Sequence, residues 1–166
     1  MTLPVSAFKA YDIRGRVPDE INEQIAEAIG RAYACYLEPE RVVVGHDIRL
    51  SSPKITDALI KGLCASGVNV SHIGVCGTEE IYFTTDRYGF DGGIVVTASH
   101  NPKEFNGMKL VRRQSRPISG DSGLHVIRSL VEKNRFTDAL VPGRQDVLNH
   151  REAYINHLLS YIDLET

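Results

Sequence analysis

The spacing of apolar residues along the chain predicts several helices. Four segments carry apolar side chains at intervals of three and four residues, which places them on one face of a helix. A fifth segment, residues 78–80, resembles a helix N-terminus because a threonine precedes two glutamates. Pro18 and Asp19 are typical of the start of the first helix. The predicted helices cover residues 21–36, 51–67, from 78 onward, 120–134 and 149–162.

Short apolar runs between these helices predict four strands, over residues 41–45, 68–75, 94–96 and 108–111. Strands that alternate with helices imply a parallel or mixed sheet with helices on both faces. The expected fold class is therefore α/β: a three-layer αβα domain with a mixed, mostly parallel sheet. Residues 136–146 contain Pro142 and Gly143 and show no clear periodicity, which indicates a linker before the last helix.

Composition narrows the class of protein. The 166 residues are 42% hydrophobic and 24% charged, which is enough for one globular domain with its own core. A net charge of −2 gives no overall attraction to nucleic acid or to an anionic membrane. Three widely spaced cysteines indicate neither a disulfide framework nor a zinc site, and the first residues lack the pattern of a signal peptide. We expect a cytoplasmic protein that binds neither nucleic acid nor membrane.

The first candidate site is the segment TASHNP at residues 97–102, which directly follows a predicted strand. Ligands of open α/β sheets gather at the carboxyl ends of strands. Ser99 is a potential nucleophile there, with His100 beside it and Lys109 within ten residues. The same residues also suit an ordinary Asn-Pro turn in which Ser99 and His100 satisfy loop backbone groups. The absence of a G-x-S-x-G pattern around Ser99 argues against an α/β hydrolase.

Two further clusters are polar. In the first, from Lys9 to Arg16, Arg14 could clamp a phosphate because a guanidinium offers planar, paired donors. The alternative is a solvated N-terminal arm. In the second, a glycine turn at residues 106–107 leads Lys109 into a strand, and its alternative is a hairpin with a solvated lysine.

The combination of these motifs is more specific than any one of them. The segments FKAYDIRG, VGHDIRLSS, GTEEIYF, DGGIVVTASHNP and NGMKLVR occur in this order. Together they resemble the first domain of the α-D-phosphohexomutases, over about residues 8–135, and GTEEIYF and RPISGD are most similar to the bacterial phosphomannomutase branch. The resemblance implies an isomerase that interconverts mannose 6-phosphate and mannose 1-phosphate through a hexose 1,6-bisphosphate.

The resemblance also implies roles for individual residues. Ser99 would carry the phosphoryl group, and one of its phosphoryl oxygens would be a ligand of Mg²⁺. Lys109 would move a proton near the reacting oxygen. The implied catalytic residues are Ser99, His100, Lys109 and Arg14. The implied substrate-binding residues are Tyr11, Arg14, Asn101 and Lys109.

The family's metal loop (DGDxDR), its sugar-binding loop and its C-terminal phosphate-binding loop do not occur in these 166 residues. The resemblance therefore implies an excised first domain, residues 1–135, followed by a linker and helix, residues 136–166, that lead toward a second domain. The expected partners are a hexose phosphate and the remaining domains of the same polypeptide. Two alternatives stay open: a dual phosphoglucomutase/phosphomannomutase, because selection between the C2 epimers depends on the absent sugar-binding domain, and a non-catalytic remnant that binds a phosphosugar.

Overall fold

A computed structural model describes residues 2–162, which form seven strands and five helices around one sheet. The strands are β1 (Ile13–Arg16), β2 (Arg41–His46), β3 (Asn69–Val75), β4 (Gly92–Val96), β5 (Phe105–Arg112), β6 (Arg116–Pro117) and β7 (Gln145–Val147). The helices are α1 (Glu23–Leu37), α2 (Ser52–Ala65), α3 (Thr78–Arg87), α4 (Leu124–Lys133) and α5 (Arg151–Leu159). Short 3₁₀ turns occupy Arg113–Ser115 and Gly120–Ser122.

The strand order of the sheet is β1-β5-β4-β2-β3-β7, and β6 pairs with β5. β2 is parallel to both β3 and β4, and β3 is parallel to β7. β5 is antiparallel to β1, β4 and β6, so within the described residues it alone runs against the other strands. The predicted mixed, mostly parallel sheet is confirmed. Because β2 and β4 are parallel neighbours, their carboxyl ends lie side by side.

Alternating side chains along the strands build a core on each face of the sheet. On one face Val42, Val44 and Ile94 pack against α1, α2 and α4. On the other face Val43 and Val95 pack with Ile81 of α3. Helices on both faces confirm the three-layer αβα architecture.

The starts of α1 and α4 differ from the prediction for identifiable reasons. α1 starts after Asn22, whose Oδ1 accepts a hydrogen bond from the Ile25 amide at 3.0 Å. The predicted start signal at residues 18–19 precedes the helix without capping it. α4 starts after Gly123, because residues 120–122 form a separate 3₁₀ turn and Gly123 has φ 118°, a left-handed conformation that interrupts the helix.

The apolar pattern misses three strands. β1 lies in the polar N-terminal cluster, and Ile13 is its only buried hydrophobic residue. β6 has two residues, and the three residues of β7 are all exposed. Part of the predicted linker therefore extends the sheet by pairing with β3. The division of the chain at residue 135 stays a prediction, and residues 1 and 163–166 of the two predicted segments lie outside the described residues.

The last helix does not bury the apolar face expected for it. Ile155, Leu158 and Leu159 each keep almost half of their surface exposed. The helix instead contacts α3 through an aromatic group, with the Phe83 ring 5.3 Å from that of Tyr154. The strand–helix segment at residues 145–159 thus rests on the edge of the domain.

The composition also led to predictions about membrane-spanning segments and about the cysteines. Along residues 2–162 no helix combines the length and apolar character needed to cross a membrane. Cys35, Cys64 and Cys76 are free thiols. Burial, and next the charge of Glu80, raise the pKa of the Cys76 thiol to about 12, which keeps it unreactive near neutral pH.

Candidate active site

The loop at residues 97–104 joins β4 to β5 at the carboxyl end of β4. The Asp47 amide, directly after β2, donates to the Val96 carbonyl at 2.9 Å, so the loop after β2 lies against the loop after β4. The Thr97 amide donates to the Gly107 carbonyl at 2.9 Å and closes the base of the loop. Ser99 and His100 are exposed at its tip. The topology therefore presents the predicted nucleophile at the edge of the sheet where ligands bind.

The backbone at the tip of the loop is tightly turned. Ser99 has φ 54°, in the left-handed region, which costs a residue with a side chain about 1–2 kcal/mol. The Ser99 amide donates to Thr97 Oγ1 at 2.9 Å, and the Asn101 amide donates to the Ala98 carbonyl at 3.1 Å. Non-glycine residues hold such conformations where the surroundings enforce them, and they cluster at functional sites.

Arg49 makes extensive contacts with this loop. Its guanidinium donates to four carbonyl oxygens of the loop and its exit: Ser99 at 2.9 Å, Asn101 at 2.6 Å, Pro102 at 2.7 Å and Phe105 at 3.1 Å. The Nε donates to Asp47 Oδ2 at 3.1 Å. The sequence analysis assigned no role to Arg49, although it lies in the quoted segment VGHDIRLSS. The available signal was the arrival of an arginine at the end of the strand next to β4.

A polar network supports Arg49 from below. Asp47 Oδ1 accepts hydrogen bonds from Ser52 Oγ at 2.6 Å and from the Arg49 amide at 3.0 Å. Burial alone would raise the pKa of Asp47, but these hydrogen bonds outweigh it and hold the pKa below its ordinary value. Asn106, fully buried at the start of β5, donates to Ser52 Oγ at 3.0 Å. The network thus joins the loop after β2 to the strand that follows the candidate site.

Arg14 lies beside the same loop. Its Nη1 donates to the Ala98 carbonyl, and its Nε donates to Asp12 Oδ2 at 2.8 Å. Strand β1 sets this position, because Arg14 pairs with Gly107 of β5. The Arg14 side chain is 20% exposed. The N-terminal cluster is therefore not a solvated arm.

Lys109 is on β5, opposite Val95 of β4. Gly107 and Lys109 share a face of β5, so Arg14 and Lys109 are diagonal neighbours on adjacent strands, and such neighbours are about 7–8 Å apart. Within residues 2–162, no hydrogen bond or ion pair involves the Lys109 side chain. Its ammonium group is thus not committed to a structural contact.

The other predicted site residues differ in exposure. Tyr11 is 79% exposed, His100 is exposed and Asn101 is half-buried. The structure therefore places Arg14 in direct contact with the loop that carries Ser99, His100 and Asn101, and it places Lys109 on the strand that follows this loop. Tyr11 makes no side-chain hydrogen bond within the described part of the chain.

A cavity lies elsewhere on the domain. It has a volume of about 520 Å³ and is lined by Glu40, Asp91, Arg112 and Arg116, among others, at the amino ends of β2 and β4. That is the end of the sheet opposite to Ser99. At the candidate site Ser99 and His100 are exposed, which suits a site completed by groups outside residues 2–162.

A divalent cation at this site would need several oxygen ligands. Among residues 2–162 no group of three or more His, Cys, Asp or Glu side chains lies close enough to hold a metal ion. Asp12 and Asp47 are each bound to an arginine. A phosphoryl oxygen on Ser99 would be a suitable hard ligand for Mg²⁺, but this part of the chain would supply only that one.

The protein family of this chain follows from its similarity to a known family. A family model described as phosphoglucomutase/phosphomannomutase, alpha/beta/alpha domain I, matches residues 5–138. The chain belongs to this family. The phosphohexomutase resemblance of the sequence motifs is confirmed.

Individual relatives agree with the family. The chain is 55% identical over 170 residues to a protein of Xanthomonas campestris pv. campestris named phosphohexose mutases, covering 100% of this chain and 37% of the relative. It is 53% identical over 163 residues to the phosphomannomutase of Escherichia coli K12, covering 97% of this chain and 36% of the relative. The chain thus spans little more than a third of the curated relatives that it matches.

A solved structure has the same fold. The crystal structure of a phosphoglucomutase/phosphomannomutase family protein from Burkholderia thailandensis superimposes with a TM-score of 0.88 at 33% sequence identity. The match covers 99% of this chain and 37% of that one. The three-layer domain is therefore the fold of this family's first domain.

Proposed function

We propose that the chain is the phosphoserine-bearing first domain of a cytoplasmic phosphomannomutase, with Ser99 as the residue that carries the phosphoryl group. The observation that carries this proposal is the loop at residues 97–104. It exposes a serine in a left-handed backbone conformation and anchors it to one arginine, while a second arginine lies alongside. The name of the Escherichia coli K12 relative, which is 53% identical, supports the phosphomannomutase assignment.

The proposed reaction moves one phosphoryl group out and back. The P–O bond to Ser99 Oγ breaks as a bond forms to a hydroxyl of the hexose phosphate, and the neutral amine form of Lys109 takes the hydroxyl proton and delivers it to the departing Ser99 Oγ. The resulting hexose 1,6-bisphosphate then returns its other phosphoryl group to Ser99, which yields the isomeric monophosphate. Phosphoryl transfer depends on in-line positioning and on neutralisation of charge rather than on covalent chemistry by the protein.

The cationic side chains suit this task. A phosphoserine carries about −1.5 to −2 charges at neutral pH, and the substrate phosphate adds a similar charge. Arg14 is the proposed clamp, with His100, Asn101 and Tyr11 as further contacts to the reacting groups or substrate. Lysine loses a proton more readily than arginine, which makes Lys109 the better proton carrier.

Mg²⁺ would bind through a phosphoryl oxygen of Ser99 and would supply neutralisation of the transferring group. Its remaining ligands would come from other domains of a longer polypeptide. The sugar-binding loop is expected in those domains as well, and they would decide between mannose and glucose phosphates. A dual phosphoglucomutase/phosphomannomutase remains the alternative activity for that reason.

The test is phosphorylation of the natural polypeptide, as its gene encodes it, by hexose 1,6-bisphosphate. Intact-mass analysis should find a fraction heavier by one phosphoryl group, located at Ser99 by peptide mapping. Ser99→Ala should abolish this fraction and nearly all mutase turnover, whereas Ser160→Ala, an exposed serine near the end of α5, should change neither. A protein that never takes up phosphate would instead be a non-catalytic phosphosugar-binding remnant.

A further inference from the structure

We propose that Arg49 is the positioning residue of the phosphoserine loop: it holds Ser99 in its left-handed conformation and makes no contact with substrate or phosphate. This inference rests on the proposed function of Ser99. It assigns different tasks to two arginines that both contact one short loop.

The N–H groups of Arg49 are all used by hydrogen bonds within the protein. A guanidinium has five N–H groups. In Arg49 the Nε donates to Asp47, the two Nη1 hydrogens serve Pro102 and Phe105, and the two Nη2 hydrogens serve Ser99 and Asn101. Every donor is therefore used by the protein itself. A phosphate could bind Arg49 only by breaking one of these bonds.

Arg14 differs in this respect. Its hydrogen bonds go to Asp12 and to the Ala98 carbonyl, and a second Asp12 contact is an ion pair of 2.8 Å from Nη2. At least two of its five N–H groups have no partner within residues 2–162. Arg14 can accordingly take a phosphate oxygen, whereas Arg49 cannot.

The carbonyl oxygens of the loop are turned toward Arg49. Four carbonyl oxygens between Ser99 and Phe105 converge on one guanidinium. Carbonyl oxygens that faced a phosphoryl group would repel it, so their attachment to Arg49 removes them from the reacting side. The His100 amide has no hydrogen-bond partner in the described part of the chain and remains able to donate to a phosphoryl oxygen.

The Arg49 side chain is largely buried, and its charge is balanced. The Arg49 side chain is only 13% exposed, and Asp47 at 3.1 Å balances its charge. Buried arginines with matched acceptors are rigid, because their planar fork fixes several partners at once. Lysine has three donors on a flexible stem and could not reach the same four carbonyls together with Asp47.

The experiment compares Arg49→Ala and Arg49→Lys in the natural polypeptide with Arg31→Ala as a matched control. Arg31 is 16% exposed and is bound by Glu27 and Asp138 away from the site. Both Arg49 variants should lose about 100-fold in kcat, the scale expected when a reacting group is misplaced by about 1 Å. KM for the hexose phosphate should stay within threefold, because Arg49 makes no substrate contact.

Chemical rescue distinguishes the proposed positioning role of Arg49 from a purely structural role. Added guanidinium ion should restore several-fold of the kcat lost in Arg49→Ala, and it should restore nothing in Ser99→Ala. Arg31→Ala should lower the melting temperature but leave kcat unchanged. If Arg49→Ala does not fold, Arg49→Lys, which keeps the charge and much of the volume, decides the question through its kcat.

Two results would overturn the inference. One is an Arg49 variant with kcat within threefold of the wild type, and the other is a variant whose KM rises more than threefold, which would make Arg49 a substrate contact. A wild-type protein that never takes up phosphate on Ser99 refutes the proposed function itself. A phosphorylated wild type with fully active Arg49 variants refutes the positioning role alone.

Discussion

Side chains around Ser99 differ in how many hydrogen-bonding groups they have left for a ligand. Arg49 has none, Arg14 keeps at least two N–H groups, and the Lys109 ammonium has no partner among residues 2–162. This gradient from a saturated side chain to a free one separates groups that shape the site from groups that can act on a substrate.

The free ammonium of Lys109 leads to a prediction for catalysis. In the natural polypeptide, Lys109→Ala should lower kcat about 100- to 10,000-fold, the usual range for loss of a general acid or base. KM should change much less, because Arg14 would still bind the phosphate. Steady-state kinetics with a hexose phosphate would measure both constants. Lys103→Ala, an exposed lysine in the Ser99 loop, is the control, and an unchanged kcat in Lys109→Ala would remove Lys109 from the mechanism.

The lowered pKa of Asp47 predicts how stability depends on pH. Although burial opposes it, hydrogen bonds from Ser52 and Arg49 keep the pKa of Asp47 below that of the unfolded chain. The stabilisation is therefore complete above the ordinary aspartate value of about 3.9, and it is lost as pH falls through the lower pKa of the folded state. Asp47→Asn should be less stable than the wild type at pH 6, and the difference should shrink by pH 3.

Urea unfolding at these two pH values would measure the free energies. Asp121→Asn, at an exposed position in a 3₁₀ turn, should behave like the wild type across the range. A difference between Asp47→Asn and the wild type that stayed constant with pH would show that Asp47 does not titrate in the expected direction.

At the scale of elements, the sequence was enough to predict the strands that are covered by helices on both faces of the sheet. Strands β2, β3, β4 and β5 carry apolar runs because helices cover both faces of the sheet, and all four were predicted. β1 and β7 are edge strands, so their pairing through backbone atoms leaves no apolar pattern. Arg49 was missed for a related reason: its acceptors are carbonyl oxygens, and any residue type would supply them.

The pairing of β1 with β5 depends on Gly107. A Cβ at this position would collide with the carbonyl oxygen of Ile13, on the strand that carries Arg14. Gly107→Ala should cost about 1–3 kcal/mol of unfolding free energy, as overpacking does, and should lower kcat by moving Arg14. Urea unfolding and steady-state kinetics of the natural polypeptide would measure both effects.

Gly74→Ala is the control for this variant. Gly74 has a positive φ of 73° but an open surrounding, so its substitution strains β3 without touching β1. It should lose stability and keep kcat. Equal kcat values for the two variants would mean that the approach of β1 to β5 does not position Arg14.

At the scale of the whole molecule, the chain spans 36–37% of its relatives at 53–55% identity, and Ser99 and His100 of its candidate site are exposed. Precise positioning can contribute about 7–11 kcal/mol to lowering a barrier, and one side of an exposed site cannot supply it. Residues 1–166 alone should therefore show no mutase turnover in a coupled assay. Turnover near that of the natural polypeptide would contradict the division of the site between domains.

The left-handed conformation of Ser99 also limits which nucleophile can evolve there. A threonine hydroxyl is a comparable phosphoryl acceptor, but a β-branched side chain is strongly disfavoured at a φ of 54°. Ser99→Thr should thus take up far less phosphate from hexose 1,6-bisphosphate than the wild type by intact mass, although it keeps the hydroxyl. A fully phosphorylated threonine variant would contradict this. Selection for serine at this position then acts on backbone shape, so that related proteins with other substrates would retain serine as long as the loop keeps its turn.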